Sequence, residues 1–203
     1  PDPSAFEETP KAPEHRYTLI GKSLIELADR EVDHSQTLLG ARWLCRGGSA
    51  LFIGASGMGK SSSAAQMDIL WSCGRAAFGI SPEKALRIAT FQAENDDDDL
   101  SEMAKGVMAG IKDELNETER DMVRENTLTV SLPSCNADLF LSELRGFAKD
   151  WRPDIIRIDP LQSFANPRDP DKTMDFCHHG LSLIAKELGF GIVLVFLQKT
   201  QTK

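Results

Sequence analysis

The sequence predicts an α/β fold with a mainly parallel, twisted sheet flanked by helices. Short runs rich in Ile, Val and Leu alternate with segments long enough for helices, a pattern that favours parallel strands joined by right-handed crossovers. The run at residues 191–197 is apolar without alternation, which is typical of a central strand buried on both faces. A glycine-rich segment at 54–59 connects another apolar run directly to a predicted helix. These observations together define the fold class.

The N-terminal residues differ in composition from the rest of the chain. Residues 1–16 are polar and rich in Pro, Glu and Thr, so we expect a disordered extension. Residues 17–203 are expected to form one core domain, because a chain of 203 residues can bury one sizeable core. Within residues 17–30, Leu19, Leu24 and Leu27 predict a short amphipathic helix.

The predicted elements follow in chain order. Strands are expected near residues 49–54, 87–93, 127–132, 154–159 and 191–197. Helices are expected near residues 60–73, 98–115, 117–124, 137–150 and 173–188. Apolar side chains at helical spacing follow the acidic run at 96–99, so this run is interpreted as the exposed first turn of a helix and not as a metal site.

The strand at 49–54 ends in the pattern G-x-x-x-x-G-K-[ST], the Walker A pattern. Its residues are Gly54, Ala55, Ser56, Gly57, Met58, Gly59, Lys60 and Ser61, followed by Ser62. A strand, a glycine-rich turn and a helix in this order place backbone N–H groups around the phosphates of a nucleotide. Lys60 can reach the β and γ phosphates, and the Ser61 hydroxyl can ligate Mg²⁺. The alternative is an ordinary glycine turn between a strand and a helix.

Two carboxylates end other predicted strands. Asp159 follows the apolar run at 154–158, where a Walker B carboxylate holds Mg²⁺ directly or through its water shell. Glu94 follows the strand at 87–93, where a carboxylate can orient and partly deprotonate a water aimed at the γ phosphate. Because ligands bind at the carboxyl ends of parallel strands, we expect both side chains near Lys60. The alternatives are a loop-capping role for Asp159 and an ordinary turn acid at Glu94.

These motifs resemble those of the RecA-like P-loop ATPases. The segments at 54–62, 91–96 (FQAEND) and 158–164 (IDPLQSF) are similar to the three core motifs of the RepA-type branch, the "AAA domain" proteins related to plasmid and phage replicative helicases. The resemblance covers residues 38–200. It implies a RecA-like core, Mg²⁺-dependent ATP hydrolysis and a hexameric ring that moves on single-stranded nucleic acid.

The resemblance also assigns roles to later residues. Gln198 would sense the γ phosphate, with the alternative that it only ends its strand, and the strand at 191–197 would lie between the strands that carry Gly54 and Asp159. Arg168, Lys172 and Lys199 would contact nucleic-acid phosphates, with the alternative that they are ordinary exposed charges. The chain ends before the basic finger of the family, so we expect a truncated core that binds Mg-ATP, hydrolyses it poorly and is largely monomeric.

Three functions remain open at this point. The favoured one is an ATPase that drives movement on, or remodelling of, nucleic acid in plasmid, phage or mobile-element replication. The second is a regulatory ATPase that switches oligomer contacts without nucleic acid. A small-molecule P-loop kinase is the third, and it is disfavoured because Glu94 would activate water and no Arg-rich lid is visible.

Composition and charge limit the partners, the compartment and the cofactors that are compatible with the sequence. A net charge of −8 argues against nucleic-acid binding over the whole surface, but a basic channel in a ring stays compatible with it. Neither a membrane-spanning run nor a signal peptide is visible, which predicts a cytoplasmic protein. The four cysteines lie far apart and the pair His178-His179 has poor chelating geometry, so ATP and Mg²⁺ are the only cofactors expected.

Overall fold

The computed structural model describes residues 21–111, 115–132, 135–165 and 169–198. The chain divides into two units, Pro1–Asp33 and His34–Lys203. In the first unit, the predicted helical segment is present as helix α1 (Leu24–Ala28). The Ser23 side chain accepts from the Glu26 N–H at 3.2 Å and the Glu26 carboxylate accepts from the Ser23 N–H at 2.6 Å, a capping box. The extension at 1–16 lies outside the described residues.

The second unit contains all five predicted strands. They are β3 (Ser49–Ala55), β4 (Ile88–Gln92), β5 (Thr127–Ser131), β6 (Ile155–Asp159) and β7 (Gly191–Gln198). Two short strands precede them, β1 (Thr37–Leu39) and β2 (Leu44–Cys45), which form an antiparallel pair. This pair was not predicted, because strands of three and two residues are too short to show a period.

The predicted helices are also present. They are α2 (Lys60–Ser72), α3 (Asp97–Ile111), α4 (Glu117–Asn126), α5 (Ala137–Trp151), α6 (Pro170–Asp175) and α7 (Ser182–Leu188). Single 3₁₀ turns lie at His34–Gln36 and Leu161–Ser163. The segment predicted as one helix at 173–188 is instead interrupted by a π-helical turn, Phe176–Leu181, between α6 and α7.

The large sheet has the strand order β3-β7-β6-β4-β5, and every neighbouring pair is parallel. This arrangement confirms the predicted fold class. It also places β7 between β3 and β6, as the resemblance implied. Since all five strands run in one direction, their carboxyl ends lie along the same edge, which is where the predicted site residues are found.

Apolar clusters lie on both faces of the sheet. One contains α5, the π turn and α7 against β6, with Phe140, Leu144, Ile156 and Ile158 among its buried members. The other contains α2 and the β1–β2 pair, with Trp71, Ile88 and Ile155 among its members. Because successive strand residues point to opposite faces, β6 contributes to both clusters and is buried along its whole length.

The remaining sequence expectations concern cysteines, histidines and membranes. All four cysteines are free thiols. His178 and His179 lie in the π turn, and His179 Nε2 is 4.0 Å from Asp175 Oδ1. In the described part of the chain, no group of three or more His, Cys, Asp or Glu could hold a metal ion, and no helix is long and apolar enough to cross a membrane.

Candidate functional site

The glycine-rich loop connects the end of β3 at Ala55 to the start of α2 at Lys60. Gly59 caps α2 in the left-handed region with a φ of 73° and offers no side-chain oxygen, so the first N–H groups of the helix stay available to a ligand. A β-carbon at Gly54 would lie 3.1 Å from Lys60 Cδ, closer than nine in ten real contacts of that kind. Glycine at 54 therefore lets the lysine stem pack against the strand.

Lys60 is the buried cation of this loop. The residue is 8% exposed, and its ammonium donates a hydrogen bond to the Ala55 carbonyl. An ammonium group has three donors, so two remain for phosphate oxygens. Met58, in contrast, is 73% exposed and points its side chain away from the core.

Asp159 ends β6 beside Gln92, which ends β4 at the paired position. Asp159 is 5% exposed, and its carboxylate accepts a hydrogen bond from the Ser61 hydroxyl. The structure thus brings together the hydroxyl and the carboxylate that the sequence assigned to Mg²⁺. Hydroxyl and carboxylate oxygens are ligands that Mg²⁺ prefers, so this donor set fits the ion.

Gln92 is a site residue that sequence reasoning missed. Its Oε1 accepts from the N–H groups of Ala93 at 2.9 Å and Glu94 at 3.3 Å, which holds the turn that carries Glu94. A polar side chain in the last position of an otherwise apolar strand was the available signal. Gln92 is 2% exposed, so its hydrogen bonds are protected from water.

A cleft of about 470 Å³ lies between these groups. Its lining includes most of the predicted site residues: Ser56, Gly57, Gly59, Lys60, Ser61, Ser62, Glu94 and Asp159. It also includes Asp99 of α3, from the acidic run at 96–99, whose Asp96 carboxylate caps the helix by accepting from the Asp99 N–H at 2.9 Å. The run is therefore a helix start, as predicted, that also reaches the cleft.

The electrostatics of the cleft favour a cation. Burial raises the pKa of Asp159, against the lowering effect of the Ser61 hydrogen bond and of Arg157 and Lys60. Burial raises the pKa of Glu94 as well, the negative charge of Asp159 adds to this, and Lys60 opposes it. A divalent cation bound beside these carboxyl groups would stabilise both as anions.

The remaining predicted residues lie elsewhere or outside the described part of the chain. The Gln198 backbone pairs with Ala55 at the start of the loop, but its side chain is outside the described residues, as are Arg168 and Lys199. Lys172 belongs to α6, and its Nζ lies 3.8 Å from Asp169 Oδ2. It lines a larger cavity of about 640 Å³ between α5 and the π turn, which none of the glycine-rich loop residues lines.

A parallel sheet whose first long strand enters a glycine-rich loop and a helix, with carboxylates at the tips of neighbouring strands, defines a P-loop NTPase core. The AAA domain family matches residues 17–196, and the chain belongs to this family. Its members are nucleotide-binding ATPases in general, and their P-loop domains generally bind the nucleotide with Mg²⁺. No curated protein matches the sequence.

Proposed function

We propose that the protein is a Mg²⁺-dependent ATPase whose active site is the cleft between the glycine-rich loop, Glu94 and Asp159. The observation that carries this proposal is the convergence of Lys60, Ser61, Glu94 and Asp159 on one cleft from three separate elements. A glycine-rich turn without catalytic function would not require the carboxylates that follow β4 and end β6 to lie beside it.

Each residue has a distinct task in this proposal. The loop N–H groups and Lys60 bind the β and γ phosphates, and Ser61 and Asp159 would hold Mg²⁺, which supplies positive charge to the phosphate oxygens. Glu94 orients a water molecule and accepts its proton as the water oxygen bonds to the γ phosphorus, while the bond from that phosphorus to the β–γ bridging oxygen breaks and ADP leaves with the electron pair. Burial, the largest cause of the raised pKa of Glu94, acts in the direction that strengthens a carboxylate as a proton acceptor.

The finer proposal is a RepA-type, helicase-like ATPase of DNA replication in plasmids, phages or mobile elements. Its support is the likeness of the three motifs to that branch. In this proposal a homo-hexamer couples hydrolysis to movement on single-stranded DNA, with Arg168, Lys172 and Lys199 as phosphate contacts and Gln198 as the γ-phosphate sensor. We further propose that residues 17–203 contain this ATPase core and that the protein acts in the cytoplasm.

The alternative is a regulatory ATPase that changes oligomer contacts with nucleotide state. A small-molecule kinase is less favoured, because Glu94 beside the cleft would activate water in competition with an acceptor.

The test is ATP turnover with Mg²⁺ in the absence and presence of single-stranded DNA. Turnover that rises with DNA supports the helicase-like proposal, and DNA-independent turnover supports the regulatory switch. Turnover that requires an added small-molecule acceptor supports the kinase. If Mg-ATP neither binds nor is hydrolysed, the proposed ATPase is wrong.

A further inference from the structure

Arg157 is a charged residue in the middle of a central strand, and it is completely buried. Its residue exposure is 0%, while its neighbours Ile156 and Ile158 belong to the apolar cluster on the other face of the sheet. Burying a guanidinium costs several kcal/mol unless it is paired and hydrogen-bonded. A residue that only filled the core at this position would be aliphatic. The buried charge therefore indicates a function other than packing.

Asp68 of α2 neutralises this charge. Its Oδ1 lies 2.6 Å from Arg157 Nη2, and its Oδ2 accepts a hydrogen bond from the Thr90 hydroxyl at 3.0 Å. Thr90 and Arg157 are paired positions on β4 and β6, so the three side chains form one group between α2 and the sheet. The pair is nevertheless incompletely hydrogen-bonded: among the described residues, Asp68 Oδ1 and the three guanidinium nitrogens of Arg157 have no hydrogen-bond partner of good geometry.

These atoms border a small cavity. It has a volume of about 40 Å³, and its lining includes Asp68, Thr90 and Arg157 together with Ser61, Gln92 and Asp159. A cavity of roughly 10–15 Å³ on this measure already holds one water molecule, provided that it has two to four polar partners. This cavity meets both conditions, and it joins unsatisfied guanidinium donors to the carboxylate and hydroxyl assigned to Mg²⁺.

The strand geometry explains why the two groups share a cavity. Arg157 and Asp159 are two residues apart on β6 and therefore point to the same face of the sheet. Ser61 and Asp68 are seven residues apart on α2, two helical turns along the face that covers this part of the sheet. The guanidinium thus lies directly behind the metal-binding end of the cleft.

Resting on the Mg-ATP site proposed above, we propose that Arg157, held by Asp68, is a positioning residue that orients the Asp159 carboxylate for Mg²⁺ through water bound in this cavity. Arg157 touches neither nucleotide nor metal. Its effect is on the metal requirement of nucleotide binding, because Asp159 without its supporting hydrogen bonds has more orientations to lose when the ion binds.

The experiment replaces the buried pair by apolar residues of similar size, in the double variant Asp68→Leu with Arg157→Met. Replacing both partners avoids the uncompensated charge that either single change would leave, and such replacements are often neutral or stabilising. The matched control is Arg145→Met with Glu187→Leu, which removes an exposed ion pair between α5 and α7 on the opposite face of the sheet. Thermal unfolding checks that all proteins are folded.

The readout is binding of a fluorescent, non-hydrolysable ATP analogue, titrated first in EDTA and then with increasing Mg²⁺. We expect the buried-pair variant to keep the parent's affinity in EDTA, because the loop and Lys60 are intact. The Mg²⁺ concentration that gives half of the maximal enhancement of analogue binding should rise about 10- to 100-fold. This is the usual effect of losing a group that supports a metal ligand. The control should match the parent in both titrations.

The outcomes separate the two proposals. A folded buried-pair variant with the parent's Mg²⁺ requirement would overturn the positioning role alone. A parent protein that binds no nucleotide with or without Mg²⁺ would overturn the proposed function and this inference with it. If the double variant does not fold, Arg157→Lys is measured in the same way, since it keeps the charge but loses the planar donor array. A parent-like Mg²⁺ requirement in that variant would overturn the positioning role.

Discussion

Strand β3 positions Lys60, the first residue of α2, for contact with a phosphate group. The ammonium is buried and donates to the Ala55 carbonyl, so its charge has one polar partner and unused donors that face the cleft. A phosphate oxygen would accept a hydrogen bond from these unused donors at little cost in side-chain entropy, because the lysine stem already packs against Gly54.

For Lys60→Ala we expect a loss of about 1.5–3 kcal/mol in Mg-ATP binding, the contribution of one charge-assisted hydrogen bond to phosphate. Calorimetric titration measures it. Lys149→Ala, which removes an exposed lysine from α5, is the matched control and should bind like the parent. Unchanged binding in Lys60→Ala would show that the phosphates bind elsewhere.

Glu94→Gln keeps the shape of the side chain and removes the proton acceptor. We expect nucleotide affinity to be retained while ATP turnover falls by about 10²- to 10⁴-fold. The control is Glu102→Gln, an exposed residue of α3, which should leave turnover unchanged. If Glu94→Gln turns over ATP as fast as the parent, another group activates the water.

Asp68 links pH to stability. Burial raises its pKa to about 6 in the folded protein, from 3.8 for an ordinary aspartate. A folded state that holds this proton more tightly than the unfolded state is favoured by low pH. The contribution of Asp68 to the free energy of unfolding is therefore full below about pH 4 and is lost as pH rises through about 6. Relative to Asp68→Asn, the parent should therefore lose roughly 3 kcal/mol across this window.

Urea unfolding of both proteins at several pH values between 4 and 7.5 measures this difference. The comparison with Asp68→Asn cancels most of the titration of the other carboxylates, which both proteins share. A difference in unfolding free energy that stays constant over this range would contradict the raised pKa.

At the scale of elements, β3 and β6 show that the exposure of an apolar strand depends on its position in the sheet. Both strands are rich in aliphatic residues, but β3 pairs with β7 alone among the described strands. Leu51 and Ile53 of β3 are 55% and 53% exposed, whereas Ile158 of β6 is 0% exposed. An uncovered edge strand of this kind is a surface to which another chain could pair.

The same substitution in the two strands should therefore have different costs. Ile158→Ala removes packed methyl groups from the core and should destabilise the protein by about 2–5 kcal/mol. Ile53→Ala should change the unfolding free energy by about 0.5 kcal/mol, as at other exposed positions. Urea denaturation of the two variants beside the parent measures both values, and equal costs would mean that the outer face of β3 is covered in solution.

At the scale of the whole molecule, ligand binding and folding are linked. A ligand that binds only the folded state adds about 2.7 kcal/mol of stability when its concentration is 100 times its dissociation constant. For a domain of this size, that corresponds to a rise of roughly 5–10 °C in the melting temperature.

We expect this rise when Mg-ATP is added to the parent, and smaller rises for ATP in EDTA and for Lys60→Ala with Mg-ATP. Differential scanning fluorimetry is the measurement. An equal rise in all three cases would mean that ATP stabilises the protein from a site other than the cleft.

The sequence by itself determined the features that depend on local chemistry. The glycine-rich loop, the long strands and the helices each follow from residues close together in the chain, since backbone freedom at glycine, aliphatic runs and helical spacing act over a few positions. The parallel sheet and the position of Lys60, Ser61, Glu94 and Asp159 at its carboxyl edge follow from alternation of strands and helices alone. The order of β3, β7 and β6 came from the family resemblance.

Only the tertiary structure decided which groups meet across the sheet. Arg157 pairs with Asp68 because β6 and α2 come together in space, and no spacing along the chain encodes that contact. Leu51 and Ile53 are exposed on β3, an edge strand of the described sheet, although the β3 sequence resembles that of a buried strand. The π turn likewise interrupts a continuous helical pattern where Gly180 packs closely against Leu141 of α5, a contact set by the neighbouring helix and not by the segment itself.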